Sequence, residues 1–181
     1  MELTPSQTVG PFFARALTWS DGPYVVPSSA AGAFWLRGVV YDGAGEVVPD
    51  ALIESWQASP EGRFDHPDDP RGAVPGFRGF ARCPTSPSGE WGIHTVRPGR
   101  VPGADGVLQA PHIDLSVFAR GLLDRVVTRV YFAADPSNVD DPVLLSVPEP
   151  ARATLVASPA GDGYTFDIRL QGEHETVFFS V

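Results

Sequence analysis

The chain has 181 residues, and its 22 acidic against 13 basic side chains give a formal charge of −9. Glycine and proline contribute 19 residues each, yet 43% hydrophobic residues suffice for a core, so we expect one folded domain rich in turns. The acidic balance argues against nucleic acid or an anionic membrane as the main partner.

The location of the chain is predicted from features that the sequence lacks. No apolar run approaches the roughly 20 residues of a membrane-spanning helix. The first residues carry an early acid and no basic region, so no secretory signal is visible. The single cysteine, Cys83, cannot form an internal disulfide or a zinc cluster. These features favour a cytoplasmic protein.

The predicted elements, taken along the chain, are short strands separated by Gly/Pro turns and long Pro/Gly-rich loops. Residues 1–33 show little strand periodicity and are predicted to be an N-terminal arm, and residues 34–181 are predicted to form an all-β, β-sandwich domain. Short helices are possible near 118–123 and 148–152. The candidate strands are 34–41, 46–48, 51–58, 78–83, 90–96, 111–118, 126–133, 153–157, 164–170 and 175–180.

Both ends of the chain are unusually apolar. The arm contains two phenylalanines, a tryptophan and a tyrosine, and residues 176–181 are mostly apolar. We expect the arm to pack on a partner subunit. The alternative is that both ends cover the core of their own domain.

The four histidines give only a weak signal for metal binding. None belongs to an HxH or HExxH motif, and nucleophile, phosphate-loop and dinucleotide motifs are absent. His112 has a carboxylate, Asp114, two residues later, and positions i and i+2 share one face of a strand. This pair could offer two ligands, but a hydrogen-bonded structural histidine is the favoured interpretation of His112.

Several motifs, read together, resemble one protein family over nearly the whole chain. They are the segments 4–13, 38–43, 54–58, 91–99, 110–121 and 166–173. On these motifs the chain resembles the intradiol ring-cleavage dioxygenases. Within that family it is most similar to the alpha-type chains of the two-chain enzymes that act on protocatechuate (3,4-dihydroxybenzoate).

The resemblance implies a non-haem Fe(III) site that this chain has lost. Catalytic members hold ferric iron with two tyrosinates and two histidines, donors that suit a hard cation. The corresponding residues here are Phe64, Val101, His112 and Asp114, so one ligand of four remains. The family's arginine in the same segment is matched by Gln109. The resemblance therefore implies that the ligand positions are vestigial and that a homologous beta chain holds the iron.

The resemblance also assigns a role to a second set of residues. Arg120 matches a family arginine that reaches the substrate, and a permanently charged donor suits the carboxylate of protocatechuate. Thr8, Gly10, Pro11 and Phe12 match a segment of the substrate wall, where glycine lets backbone approach a ligand. A surface ion pair of Arg120, perhaps with Asp124, is the alternative interpretation.

Three functions follow from these considerations. The first is a non-iron-binding subunit that helps a beta chain to cleave protocatechuate with O2, giving 3-carboxy-cis,cis-muconate for the beta-ketoadipate pathway. The second is a non-catalytic β-sandwich that serves as a scaffold or binds a ligand. A homomeric dioxygenase is disfavoured by Phe64, Val101 and Asp114. An adjacent gene for a similar chain with both tyrosines would favour the first function, the non-iron-binding subunit.

Overall fold

The computed structural model describes residue 5 and residues 7–180; residues 1–4 and 6 of the predicted arm and residue 181 of the predicted sandwich lie outside the described part. Nine strands and three short α-helices form within it. The strands are β1 (Phe34–Tyr41), β2 (Leu52–Trp56), β3 (Phe80–Pro84), β4 (Glu90–Thr95), β5 (His112–Phe118), β6 (Val126–Phe132), β7 (Val156–Ala160), β8 (Gly163–Thr165) and β9 (Ile168–Arg169). The helices are α1 (Phe13–Ala16), α2 (Pro142–Ser146) and α3 (Glu149–Arg152), with 3-10 turns at Pro136–Val139 and Ala153–Leu155.

The strands are hydrogen-bonded in the order β3-β2-β5-β6-β7-β8-β1-β4, and β9 also pairs with β1. Strand β7 connects two layers, because its first residues pair in parallel with β6 and its last three pair antiparallel with β8. Apolar residues from both halves of this path form one common core. The predicted all-β sandwich is therefore confirmed.

Alternation along β5 explains which residues enter that core. Ile113, Leu115 and Val117 are fully buried in it, whereas the intervening side chains point to the opposite face. At one end this opposite face is covered by a second apolar cluster, which packs Tyr131 against Leu144 and neighbouring residues of α2 and α3. The rest of the outward face of β2 and β5 is left for other contacts.

Five predicted elements differ from the structure. Segments 46–48 and 175–180 contribute only isolated bridges, the segment 153–157 begins as a 3-10 turn, and 118–123 forms turns rather than a helix. The predicted strand 164–170 is interrupted because the side chain of Asp167, through Oδ1, accepts a hydrogen bond from the backbone N–H of Val39 at 3.0 Å. A side chain there replaces a backbone partner that periodicity cannot reveal.

Part of the predicted arm contacts this chain's own sandwich. Val25 and Val26 are buried in the main core, and the backbone N–H of Val25 donates to the carbonyl of His94. The ring of Phe13 lies 5.3 Å from that of Phe118, between centroids. Among the described residues, no helix has the length and apolar character needed to cross a membrane.

Candidate functional site

The outward face of β2 and β5 forms a ladder of cross-strand pairs. Trp56 is paired with Asp114, and Leu52 is paired with Phe118. The same register, continued past the strand ends, sets Asp50 opposite Arg120, and an ion pair joins them. Asp114 and Arg120 are six residues apart, or about 20 Å at the ordinary rise of a strand. The two predicted sites therefore lie at opposite ends of one face.

The first end is built around His112 and Asp114. His112 is buried, and its Nδ1 lies 2.7 Å from the carbonyl oxygen of Ala110. A carbonyl can only accept, so Nδ1 carries the proton and the neutral ring keeps a lone pair on Nε2. That Nε2 is 3.9 Å from Oδ2 of Asp114. Burial, and next the charge of Arg129, lower the pKa of His112.

Arg129 dominates the electrostatics of this end. Its Nε lies 2.9 Å from Oδ1 of Asp114, and its Nη1 donates to Oε1 of Gln109 at 2.9 Å. Strand pairing causes the first contact, since Arg129 is the cross-strand partner of Asp114. The carboxylate of Asp114 is thus already ion-paired with the guanidinium of Arg129.

The other two predicted ligand positions lie around the same cluster. The ring of Phe64 stacks on Trp56, with centroids 5.9 Å apart. Val101 is buried, and its carbonyl accepts a hydrogen bond from the backbone of Gln109. The structure therefore brings all four predicted positions to one end of the face.

A cleft of about 540 Å³ opens beside this cluster and is lined by Trp56, Phe64, His66, Asp69 and Arg71, among others. Asp69 organises its rim, because Oδ2 accepts the backbone N–H of Phe64 at 2.9 Å. The side-chain hydrogen bond from Arg71 is the main cause that lowers the pKa of Asp69. The cleft is walled by rings and by carboxylates that already have partners.

The residues present do not fit a ferric ion. Phe64 and Val101 have no donor atom, and Asp114 is paired with a cation that would repel the metal. Within residues 5 and 7–180, no group of three or more His, Cys, Asp or Glu side chains could hold a metal ion. The donor set at this end of the face therefore does not fit a ferric ion with two tyrosinates and two histidines.

At the second end, the arm that carries the predicted wall residues contacts the segment of Arg120 through Thr8. The backbone N–H of Gly121 donates to Oγ1 of Thr8 at 2.8 Å, and this contact fixes the arm beside Arg120. Gly10 has φ +70°, and a Cβ added to it would meet nothing within 4 Å. Phe12 is 75% exposed, an unusual position for a phenylalanine.

Arg120 is the charged group of this end. Its side chain is 60% exposed, and its Nε lies 3.3 Å from Oδ2 of Asp50. The alternative interpretation, a surface ion pair of Arg120, is therefore confirmed, but its partner is Asp50 in the turn before β2 rather than Asp124. The guanidinium remains accessible from outside the chain.

Sequence reasoning missed two residues, Arg129 and Asp50. Alternation in β6 could have placed Arg129 on the outward face, but only the register sets it opposite Asp114. Asp50 precedes β2 in a turn, and its pairing with Arg120 depends on the β2–β5 register. Neither partner is close to the other in sequence.

Sequence comparisons identify the family to which this chain is similar. The model of a family described as "Dioxygenase" matches residues 27–172. The protocatechuate 3,4-dioxygenase alpha chain of Burkholderia cepacia is 42% identical over 199 aligned residues, covering 100% of this chain and 98% of that protein. The beta chain from the same organism is 35% identical over 75% of this chain and 63% of its own length.

A solved structure supports the fold independently. Catechol 1,2-dioxygenase from an Acinetobacter species superposes with a TM-score of 0.64 at 21% identity, covering 81% of this chain and 55% of that one. At that identity the likeness concerns the sandwich alone. Together with the full-length match, these findings show that the chain belongs to the intradiol dioxygenase family and, within it, to the alpha chains of protocatechuate 3,4-dioxygenase.

Proposed function

We propose that this chain is the non-iron-binding subunit of a two-chain protocatechuate 3,4-dioxygenase. The complex cleaves the bond between the two hydroxyl-bearing carbons of 3,4-dihydroxybenzoate. Both atoms of O2 enter the product, 3-carboxy-cis,cis-muconate, one in each of the two new carboxylates, whose other oxygens come from the substrate hydroxyls. The isolated chain is inactive.

The separation of the two ends of the outward face carries this proposal. Along the strand, Arg120 is about 20 Å from Asp114 and farther still from His112, several times the length of the substrate's ring. The wall residues of this chain therefore cannot serve its own ligand positions. They suit a metal site on another chain that docks against Thr8, Phe12 and Arg120.

The wall residues have the chemistry that protocatechuate needs. The substrate carries a carboxylate on the side of the ring opposite its hydroxyls, and a guanidinium binds carboxylates with two parallel hydrogen bonds. Gly10 lets the backbone approach closely, and Pro11 keeps this wall stiff. Phe12 offers an exposed ring that a partner would cover.

The iron belongs to the homologous beta chain in this proposal. A ferric ion held there would bind both substrate hydroxyls and make the ring susceptible to O2. This chain contributes the position and charge of the wall. The beta chain of the Burkholderia relative is itself similar to this chain, which supports a partner of the same fold.

The test is co-purification with a beta-type chain that has both tyrosines and the two histidines. Native mass spectrometry, iron quantitation and O2 uptake with protocatechuate are measured on the complex and on this chain alone. We expect equal amounts of the two chains, a single iron for each pair, and uptake only by the complex. Iron and turnover in this chain alone would contradict the proposal. A metal-free monomer that does not associate would favour the scaffold function.

A further inference from the structure

We propose that Asp50 is a positioning residue for Arg120, which orients the guanidinium toward the carboxylate of the substrate. This inference rests on the proposed function. It concerns how the charged group of the wall is held before the substrate arrives.

The ion pair uses only one side of the guanidinium. Asp50 approaches Nε through Oδ2 at 3.3 Å, and the side chain of Arg120 is 60% exposed. An arginine has five N–H donors, of which four are on the two Nη atoms. A carboxylate at Nε therefore leaves the Nη edge available for a second, bidentate carboxylate.

Asp50 can act as a fixed point because its backbone is held on both sides. Oγ1 of Thr85 donates to the carbonyl of Val48 at 2.8 Å and accepts from the N–H of Ala51 at 2.9 Å. The N–H of Thr85 also donates to the carbonyl of Ala51. The carboxylate of Asp50 is 15% exposed, a quarter of the value for its partner. The ion pair therefore joins the exposed, flexible side chain of Arg120 to the more buried side chain of Asp50, whose backbone is fixed.

The burial of Asp50 indicates that it does more than form a surface ion pair. Its Oδ1 is buried and has no hydrogen-bond partner in the described part of the chain. An unpartnered carboxylate oxygen is costly, so this site is not optimised for stability alone. The ion pair restricts the rotamers of Arg120 before the substrate arrives, so less side-chain entropy is lost when the substrate binds.

The experiment compares D50A and D50N in the complex with the beta-type chain. D50N keeps an oxygen acceptor of the same shape, whereas D50A removes the contact. For D50A we expect KM for protocatechuate to rise about fivefold with kcat nearly unchanged, because the ion pair that orders Arg120 before the substrate binds is lost. For D50N we expect a rise of about twofold or less.

Catechol separates orientation of Arg120 from a general structural effect. It has the same two hydroxyls and no carboxylate, so its kcat/KM should not change in either variant. The effect of D50A should also disappear in an R120Q background, since the two residues act as one unit. E54Q is the matched control, because Glu54 lies on the same face of β2 in an ion pair with Arg82.

The outcomes distinguish this inference from the proposed function. An equal loss on both substrates, or a full loss from D50A in the R120Q background, would overturn the role of Asp50 while the function stands. Absence of turnover in the unsubstituted complex would overturn the proposed function and this inference with it. D50N serves as the folding control, because asparagine has nearly the same shape and volume as aspartate and should not disturb the fold.

Discussion

The two ends of the outward face of β5 differ in how strongly their polar residues are paired within the chain and how far they are exposed. Near Asp114 the charged and polar groups have partners in their own chain, and a stacked pair of rings walls the neighbouring cleft. At the other end the side chain of Arg120 is 60% exposed, Phe12 is exposed, and a Cβ added to Gly10 would meet nothing within 4 Å.

Under the proposed function, this difference distinguishes the end that contributes to chemistry from the end that does not. A site that has lost its metal can keep its place in the fold only if its buried polar groups find other partners, and Arg129 supplies that partner for Asp114. An end that serves another chain must keep its charged group exposed in the isolated subunit, as Arg120 is despite its ion pair with Asp50. The following substitutions test this contrast.

Replacing Arg120 by glutamine should have the largest effect. We expect kcat/KM for protocatechuate in the complex to fall about 50-fold, because a charge-assisted, bidentate hydrogen bond is lost. Activity on catechol should change little. Steady-state O2 uptake measures both. R125Q is a control for loss of a nearby exposed charge, and an equal loss in R125Q would contradict the specific role of Arg120.

Replacing Arg129 by methionine should instead affect stability. It leaves the carboxylate of Asp114, which is only partly exposed, without its partner, and we expect a loss of about 2 kcal/mol in the free energy of unfolding. Urea denaturation measures this loss. The double variant R129M/D114L should recover most of it. A large change in kcat of the complex would show that this end still takes part in catalysis.

Replacing Gly10 by alanine should distinguish an effect on the substrate wall of the complex from an effect on the stability of the chain. The positive φ costs about 1 kcal/mol for alanine wherever it occurs. In the complex we also expect KM for protocatechuate to rise about fivefold, because the new methyl group narrows the wall. Gly106 is a matched control, with φ +79° and open space in a different loop. G106A should show the stability loss without the change in KM.

The smallest effect concerns pH. Because the pKa of His112 is lowered below its ordinary 6.5, the unfolded chain binds more protons than the folded chain near pH 6. Stability from this group is complete above about pH 6.5 and is lost as the pH falls through the folded pKa, by at most about 1.4 kcal/mol per pH unit. Denaturation between pH 7 and 5 measures the slope. H112Q should flatten it, and an unchanged slope would assign the effect to another group.

The sequence predicts the class of the fold better than it predicts the partners within it. Period-two alternation identified the strands that build the core, β5 among them, because burial on one face imposes that pattern. It missed the Asp167 interruption, since a side-chain acceptor leaves no periodic signal. The family motifs predict the wall residues and the ligand positions, and these roles stay predictions. The roles of Arg129 and Asp50 depend on register, which pairs residues far apart in sequence.

The central claim is that the iron and the wall residues of one active site belong to different chains. Anomalous diffraction at the iron edge, from crystals of the complex with protocatechuate, tests it most directly. We predict an iron peak in the beta-type chain, with the substrate between that iron and Arg120 of this chain. An iron peak between His112 and Asp114 of this chain would contradict the account.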